Sequence, residues 1–197
     1  MTVELRAGET LASALSGAAV RVDALIGEGG QGWTYRVTLD GRPFAMKWYR
    51  PLMVNADPDL KERLRRAIQR GAPSDQFLWP FDLVTRKGAE PTFGYLMRIR
   101  GESFCKISEV LSGGQAASFR AIVLACFNLA AAFSALHAKG LSYQDISAGN
   151  VFMDPATGAI QICDNDNVDI DGTVTAVGGT PGYQPPEMVL REAYPSR

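Results

Sequence analysis

The sequence predicts an α+β fold made of two unlike lobes, and three observations predict it. Residues 21–99 carry mostly strand signals, with one helical interruption. A single long apolar stretch, "FRAIVLACFNLAAAFSALHAKG" at Phe119–Gly140, follows with its larger side chains at helical spacing. Short strand signals around polar turns come next, between Leu141 and Asp166. A chain of 197 residues holds one good core or two small lobes sharing a cleft. The change of pattern divides it into a β-rich part, 1–99, and a part that begins helical, 100–197.

In chain order, "RVDALIG" (Arg21–Gly27) reads as a strand leading into a glycine cluster, and "WTYRVTL" (Trp33–Leu39) follows, rich in β-branched and aromatic residues. Asp40–Gly41 is a hairpin signal, and "RPFAMKWY" (Arg42–Tyr49) returns. A helix is expected over Asp59–Arg70, with Asp57-Pro58 as its start signal and Gly71 as its stop. "FLWPFDLVT" (Phe77–Thr85) and "TFGYLMRI" (Thr92–Ile99) read as two more strands, turned by "RKGAEP". The long helix ends at Gly140, and strands are expected at "NVFMD" and "AIQICD" around the turn "DPATG".

Composition narrows the function. A hydrophobic share of 46% and a charged share of 21% are those of an ordinary soluble protein, and a net charge of −1 gives no support for nucleic-acid or membrane binding. The three cysteines (Cys105, Cys126, Cys163) lack CxxC spacing and there is one histidine, which argues against a disulfide framework and a zinc site. A reducing cytoplasm fits. The opening "MTVELRAGETLASAL" has acids where a secretion leader needs a basic segment and an apolar run. Asn128 and Ser134 interrupt the 119–140 stretch, so it is expected to be a buried helix of a soluble domain rather than a membrane span.

"GEGGQG" (Gly27–Gly32) fits G-x-G-x-x-G, but "WTYRV" follows where a dinucleotide fold would open a helix. Between two strands, such a loop is either a flexible hairpin tip or a flap whose N–H groups approach phosphates without a Cβ in the way. Lys47 stands among apolar residues on the return strand. It either points to solvent or meets anionic partners, because burying an unpaired ammonium is costly. Glu62, the acid set into the 59–70 helix, is the candidate carboxylate. A third group is spaced along Leu141–Asp166: Asp145, Asn150 five residues later, and Asp164 fourteen beyond that.

Together these stretches resemble the protein kinase superfamily over nearly the whole chain. "GEGGQGWTY" is similar to the glycine-rich loop, "FAMK" to the strand lysine motif and "YQDISAGN" to the catalytic loop. "DND" stands at the place of D-F-G, and "GGTPGYQPPE" is similar to the end of the activation segment. The resemblance implies a bilobal fold with a β-rich N-lobe and a helical, truncated C-lobe, and ATP with Mg²⁺ or Mn²⁺ as cofactors. It implies that Lys47 holds phosphates of ATP and pairs with Glu62, and that Asp145 accepts the proton of a substrate hydroxyl. Asn150 and Asp164 become the metal ligands, and Gly27, Gly29, Gly30, Gly32, Thr34 and Met97 the other nucleotide contacts.

Several positions depart from the family. Tyr143 and Gln144 replace its histidine and arginine, and Ser147 stands where serine/threonine kinases usually carry a lysine. Without that arginine, switching by loop phosphorylation is not expected. In "DND", Asn165 cannot serve as an apolar packing element, and Asp166 adds a carboxylate that either binds metal or faces solvent, the latter being favoured. The chain ends ten residues beyond Glu187, where kinases usually continue through further helices, so one face of the 119–139 helix is expected to be left open to self-association or a partner chain. The motif set is also similar to bacterial kinase-like proteins often joined to helix-hairpin-helix domains. The expected function is phosphoryl transfer to Ser/Thr of a protein substrate, with Thr173, Thr175 and Thr180 as candidate autophosphorylation sites. The alternative is a nucleotide-binding scaffold without appreciable transfer.

Overall fold

The computed structural model of the chain describes residues 4–88, 91–170, 179–180, 182–184 and 186–189. Two compact units emerge. The first comprises residues 1–71 and 79–99; the second comprises 72–78 and 100–197.

The first unit is a closed antiparallel barrel of six strands in the order β1-β2-β3-β4-β6-β5. The strands are β1 (Thr10–Ser13), β2 (Ala19–Glu28), β3 (Gly32–Leu39), β4 (Arg42–Tyr49), β5 (Asp82–Thr85) and β6 (Gly94–Met97). Alternation sets the interior: Val20 and Val22 from β2, Trp33, Tyr35 and Val37 from β3, and Met46 and Trp48 from β4 join Leu11, Val84 and Leu96 in one buried cluster. The β3–β4 hairpin turns as its sequence asks, with Asp40 at φ 50° and Gly41 at φ 73°, both left-handed as a type I′ turn requires.

Strand β1 is absent from the sequence expectation. Its four residues, TLAS, carry neither β-branched enrichment nor aromatic residues beyond Thr10, and its closing partner lies about 70 residues away. It pairs with β2 on one side and, through Ala12↔Thr85 and Ser13↔Val84, with β5 on the other. A buried polar clasp secures the closure: the Ser13 hydroxyl donates to the Asp82 carboxylate, which also accepts from the Leu15 N–H at 3.1 Å. Closure removes a free sheet edge.

Between β4 and β5 lie two helices where the sequence suggested one, α1 (Pro51–Ala56) and α2 (Leu60–Arg70). Pro51 suits a first helical position, and α1 was hidden because it lasts only six residues and buries none of them. Helix α2 stops at Gly71, φ 70°, and its Leu60 and Leu64 are buried. The Trp79 indole donates to the Ala67 carbonyl at 2.9 Å, fastening the helix to the chain as it re-enters this unit.

The second unit is built around α4 (Phe119–Ala138), preceded by β7 (Cys105–Lys106) and α3 (Ile107–Leu111). Ser118 caps α4, its hydroxyl accepting from the Ala121 N–H at 3.1 Å, and Gly140 at φ 69° ends it. Strands β8 (Leu141–Tyr143), β9 (Val151–Met153), β10 (Ile160–Ile162) and β11 (Val168–Ile170) form two small sheets, β10-β9-β7 and β11-β8. The "DPATG" turn joins β9 to β10, with the Asp154 carboxylate accepting from the N–H groups of Ala156 and Thr157. Gly158 presses this turn onto α4: a Cβ there would lie 2.4 Å from the Ala121 carbonyl oxygen. Residues 76–78 join β10 through the Leu78 N–H to Ile162 O and Ile162 N–H to Gln76 O bonds, both 2.8 Å.

The expected burial of α4 is met along one stripe only, and an apolar face is open, as was also expected from the sequence. Its fully buried side chains are Ala121, Ala125, Ala132 and Leu136, whereas Phe119 and Phe127 are 82% and 70% exposed and Val123 is also exposed. Small residues let neighbouring backbone approach, so alanines make up most of the buried stripe; of the larger side chains at helical spacing Leu136 is buried, Leu129 and Phe133 are half-buried, and Ile122 and Cys126 are exposed. Among the described residues α4 is the one helix long and apolar enough to cross a membrane by length and composition.

Candidate functional site

In the first unit the candidate residues gather at the β2–β3 loop and on β4. The four glycines of the loop have different physical reasons. Gly32 opens β3 against β4 so closely that a Cβ would lie 2.1 Å from the Trp48 carbonyl oxygen, which makes it a packing glycine. Gly29 and Gly30 lie at no left-handed φ, and a Cβ on either would meet nothing within 4 Å. Neither backbone strain nor packing demands glycine there; the bare backbone faces open space. Gly27 sits over Thr34 with ordinary contact distances, and Thr34 pairs with Lys47 across the hairpin.

Lys47 is 6% exposed, which sets aside the solvent-facing alternative. It shares a face of β4 with Ala45 and Tyr49, opposite the barrel interior, and pairs in register with Tyr95 of β6. Its ammonium donates to the Gln31 side-chain oxygen at 2.5 Å and lies 5.5 Å from the centre of the Tyr49 ring. Glu62 is not brought to it. That carboxylate is on the exposed side of the first turn of α2, 3.3 Å from the Arg65 guanidinium, and makes no pair with Lys47. Helical spacing decides this: the buried positions 60 and 64 turn residue 62 away from the sheet. Met97 ends β6, buried and paired with Ala45.

In the second unit Asp145, Asn150 and Asp164 are held by interlocking bonds. The Asn150 amide donates to the Asp145 backbone carbonyl at 2.9 Å and to its carboxylate at 3.3 Å. The Asn150 N–H bonds Ser147 O, closing the loop on itself, and Asn150 O accepts the Cys163 N–H at 2.9 Å. This last bond ties the loop to the residue before Asp164. Asp164 itself takes a left-handed backbone, φ 53° and ψ 43°, a sparsely populated conformation for a residue with a side chain. The Thr180 hydroxyl donates to the second Asp145 oxygen at 2.6 Å. Thr173 and Thr175 lie outside the described residues.

Asp164, half-buried, leads into a buried 3₁₀ turn over Asn165–Asn167. Asn165 is 0% exposed and its amide donates to Ile162 O at 2.9 Å, which bears on its role: it fills its site by a hydrogen bond instead of an apolar contact. Asp166 is 4% exposed, correcting the expectation that it faces solvent. Sequence reasoning missed this because a run of four polar residues, 164–167, ordinarily marks surface. Tyr143 underlies the same segment, its phenol donating to Cys163 O at 2.5 Å. Burial first, then the nearby Cys163, Asp164, Asp166 and Asp145, push that phenol well above its ordinary range.

A pH dependence follows. An unfolded tyrosine ionises near ~10. Above that pH the unfolded chain releases a proton that native Tyr143 keeps, so the native state binds more protons and stability falls as pH rises. The expected result is an alkaline loss of stability beginning near pH ~10 that is reduced in Tyr143→Phe. Denaturant midpoints from neutral pH into that range check it; parallel curves for the two chains would sink the assignment.

The donor types suit a hard cation. Because the Asn150 NH₂ group is committed to Asp145, its amide oxygen is turned the other way, and with the Asp164 carboxylate it could supply oxygen ligands. Among the described residues no cluster of three or more His, Cys, Asp or Glu exists to cage a metal. One carboxylate plus one amide fits Mg²⁺, which keeps several waters and phosphate oxygens in its shell.

No family model matches the chain. Among solved structures, the kinase domain of PF14_0431 matches with a TM-score of 0.74 at 13% sequence identity. The match covers 98% of this chain and 62% of that one, so this chain spans less than two thirds of the neighbour's length. The fold is therefore kinase-like, and its mixture of strands and helices is the α+β class expected.

Proposed function

We propose that this chain is an ATP-dependent protein kinase that transfers the γ-phosphate to serine or threonine hydroxyls. The observation that carries the reading is the Asp145–Asn150–Cys163 interlock, which holds a carboxylate, an amide and a strained aspartate in one fixed stretch. Asp145 accepts the proton of the acceptor hydroxyl as it attacks, and the Asn150 bond keeps that carboxylate oriented. The Thr180 hydroxyl donates to Asp145 at 2.6 Å, which supports a Ser/Thr acceptor and makes Thr180 the described candidate for autophosphorylation. Lys47 binds phosphate oxygens of ATP beneath the exposed backbone of Gly29 and Gly30. Asn150 and Asp164 hold Mg²⁺ or Mn²⁺, which neutralises phosphate charge when bound.

One observation favours a second reading, a nucleotide-binding scaffold acting through partners: Glu62 is engaged with Arg65 and not with Lys47. The open apolar side of α4, with Phe119, Val123 and Phe127, supports a second chain or a partner covering it under either reading. The test is label transfer from γ-labelled ATP with Mg²⁺ or Mn²⁺. Label on the chain or on a generic protein acceptor, abolished by chelation, is the expected result. Nucleotide bound without any label appearing would replace the kinase by the scaffold.

A further inference from the structure

We propose that the cleft between α2 and the β1–β2 turn is a docking site for an acidic peptide segment of a partner protein. The segment places one large apolar side chain in the cleft and a carboxylate on Arg65. The site lies wholly within the first unit and does not depend on the phosphoryl-transfer reading.

The apolar stripe of α2 runs through Leu60 and Leu64, both buried, to Ile68, which is only half-buried. Ile68 lines a cleft with a volume of about 220 Å³. Buried Leu83 and half-buried Phe81 of the β5 segment form its floor, and Ala14 and Leu15 of the β1–β2 turn form a further wall. Leu15 is 83% exposed, yet its backbone is fixed. Its N–H donates to the Asp82 carboxylate at 3.1 Å, the Ala14 N–H to Leu83 O at 2.8 Å, and the Ser16 N–H to the Ser13 hydroxyl at 3.1 Å. A turn held in this way keeps Leu15 out of the core and presents it at the mouth. The apolar wall is therefore formed before a partner arrives, which lowers the ordering cost of binding.

Size and charge choose the occupant. Pockets for small molecules usually run to about 300–1,000 Å³, whereas a cavity of about 150 Å³ already holds a benzene ring. A cleft of about 220 Å³ suits a single large side chain. At the rim stand Arg65 and Gln69, exposed and one turn apart on α2. This helix carries Lys61, Arg63, Arg65, Arg66 and Arg70 against one acid, Glu62. Arg63 is engaged by Asp57 through both guanidinium ends, at 3.0 and 2.7 Å. Arg65 makes one long bond, 3.3 Å to Glu62, with both side chains more than half exposed, so its fork keeps donors for an incoming carboxylate. Asp82, the one acid among the lining residues, is buried, with one oxygen accepting from Ser13 and the other from the Leu15 N–H. The mouth therefore carries the positive charge. An anionic membrane would match the basic helix but would leave the concavity unfilled.

The experiment follows, by fluorescence anisotropy, binding of the full chain to a short labelled peptide with one phenylalanine centred among glutamates. Saturable binding is expected, weakened about tenfold when the peptide's phenylalanine is replaced by alanine. Arg65→Glu is expected to weaken it about tenfold and Leu15→Ser about fivefold. Arg42→Glu reverses an equally exposed charge outside the cleft and is expected to leave binding unchanged. Arg65 and Leu15 are both exposed, and the peptide replacement leaves the protein untouched, so the result does not hinge on a variant that fails to fold. No saturation at millimolar peptide would overturn the proposal, as would an alanine peptide that binds as tightly as the original. Equal losses in Arg42→Glu and Arg65→Glu would reduce the effect to net charge and end it too. Capture of the chain by phosphatidylserine vesicles but not by the peptide would replace the docking segment by a membrane surface. A dimer in sedimentation that Leu15→Ser dissolves, again without peptide binding, would give the cleft to a second copy instead.

Discussion

Asp145→Asn is expected to lower phosphate transfer by about 10²–10⁴-fold while leaving nucleotide affinity and thermal stability nearly unchanged. Asparagine has the volume of aspartate and offers Thr180 a carbonyl oxygen in place of the one it donates to at 2.6 Å. The backbone half of the interlock, Asn150 amide to Asp145 O at 2.9 Å, survives because it does not involve the side chain. What is lost is the ability to take a proton, together with the second oxygen that accepts the long 3.3 Å bond from the Asn150 amide. The measurement is single-turnover transfer from γ-labelled ATP beside ATP titration and a melting curve. A rate within about threefold of wild type would remove Asp145 from the role of base. A large fall in melting temperature would instead mean that the carboxylate holds the loop together.

The largest effect on stability is expected from Trp48→Ala. Trp48 is fully buried in the barrel interior, paired in register with Trp33 on β3 and with Gly94 on β6. Its ring lies so close to Gly94 that a Cβ there would approach it to 2.9 Å, so the indole and the glycine fit as a pair. Removing the indole leaves a cavity ringed by residues of a closed barrel, whose paired strands limit collapse. Truncations of this kind cost about 3–5 kcal/mol, set against a typical total of about 5–15 kcal/mol. Denaturant unfolding checks the figure, and a loss below about 1 kcal/mol would show that the barrel relaxes into the space.

Local signals carried much of this protein. The hairpin at Asp40–Gly41, the stops at Gly71 and Gly140, the strand bearing Lys47 and the strand that follows Asn150 were legible because each depends on neighbours in sequence: left-handed turn residues, helix terminators, alternation. The spacing of Asp145 and Asn150 was legible for the same reason, since the bond between them spans one loop. The alanine stripe of α4 was misread because hydrophobic size, not closeness of approach, is what a periodic pattern registers.

The tertiary structure alone decided the rest. Strand β1 exists because Ser13 and Ala12 meet β5 from across the chain, and no local propensity foretells a partner about 70 residues away. Asp166 is buried because the segment 165–168 is folded against β8, where Gln144 N–H reaches Asn167 O. The bond between Lys47 and Gln31 was also a three-dimensional matter. Sequence identified a cation that had to be satisfied, since charge, burial and strand position are written locally. That Gln31 reaches it and Glu62 does not depends on how closely Gly32 lets the loop approach and how α2 is rotated, and those are set by packing between elements.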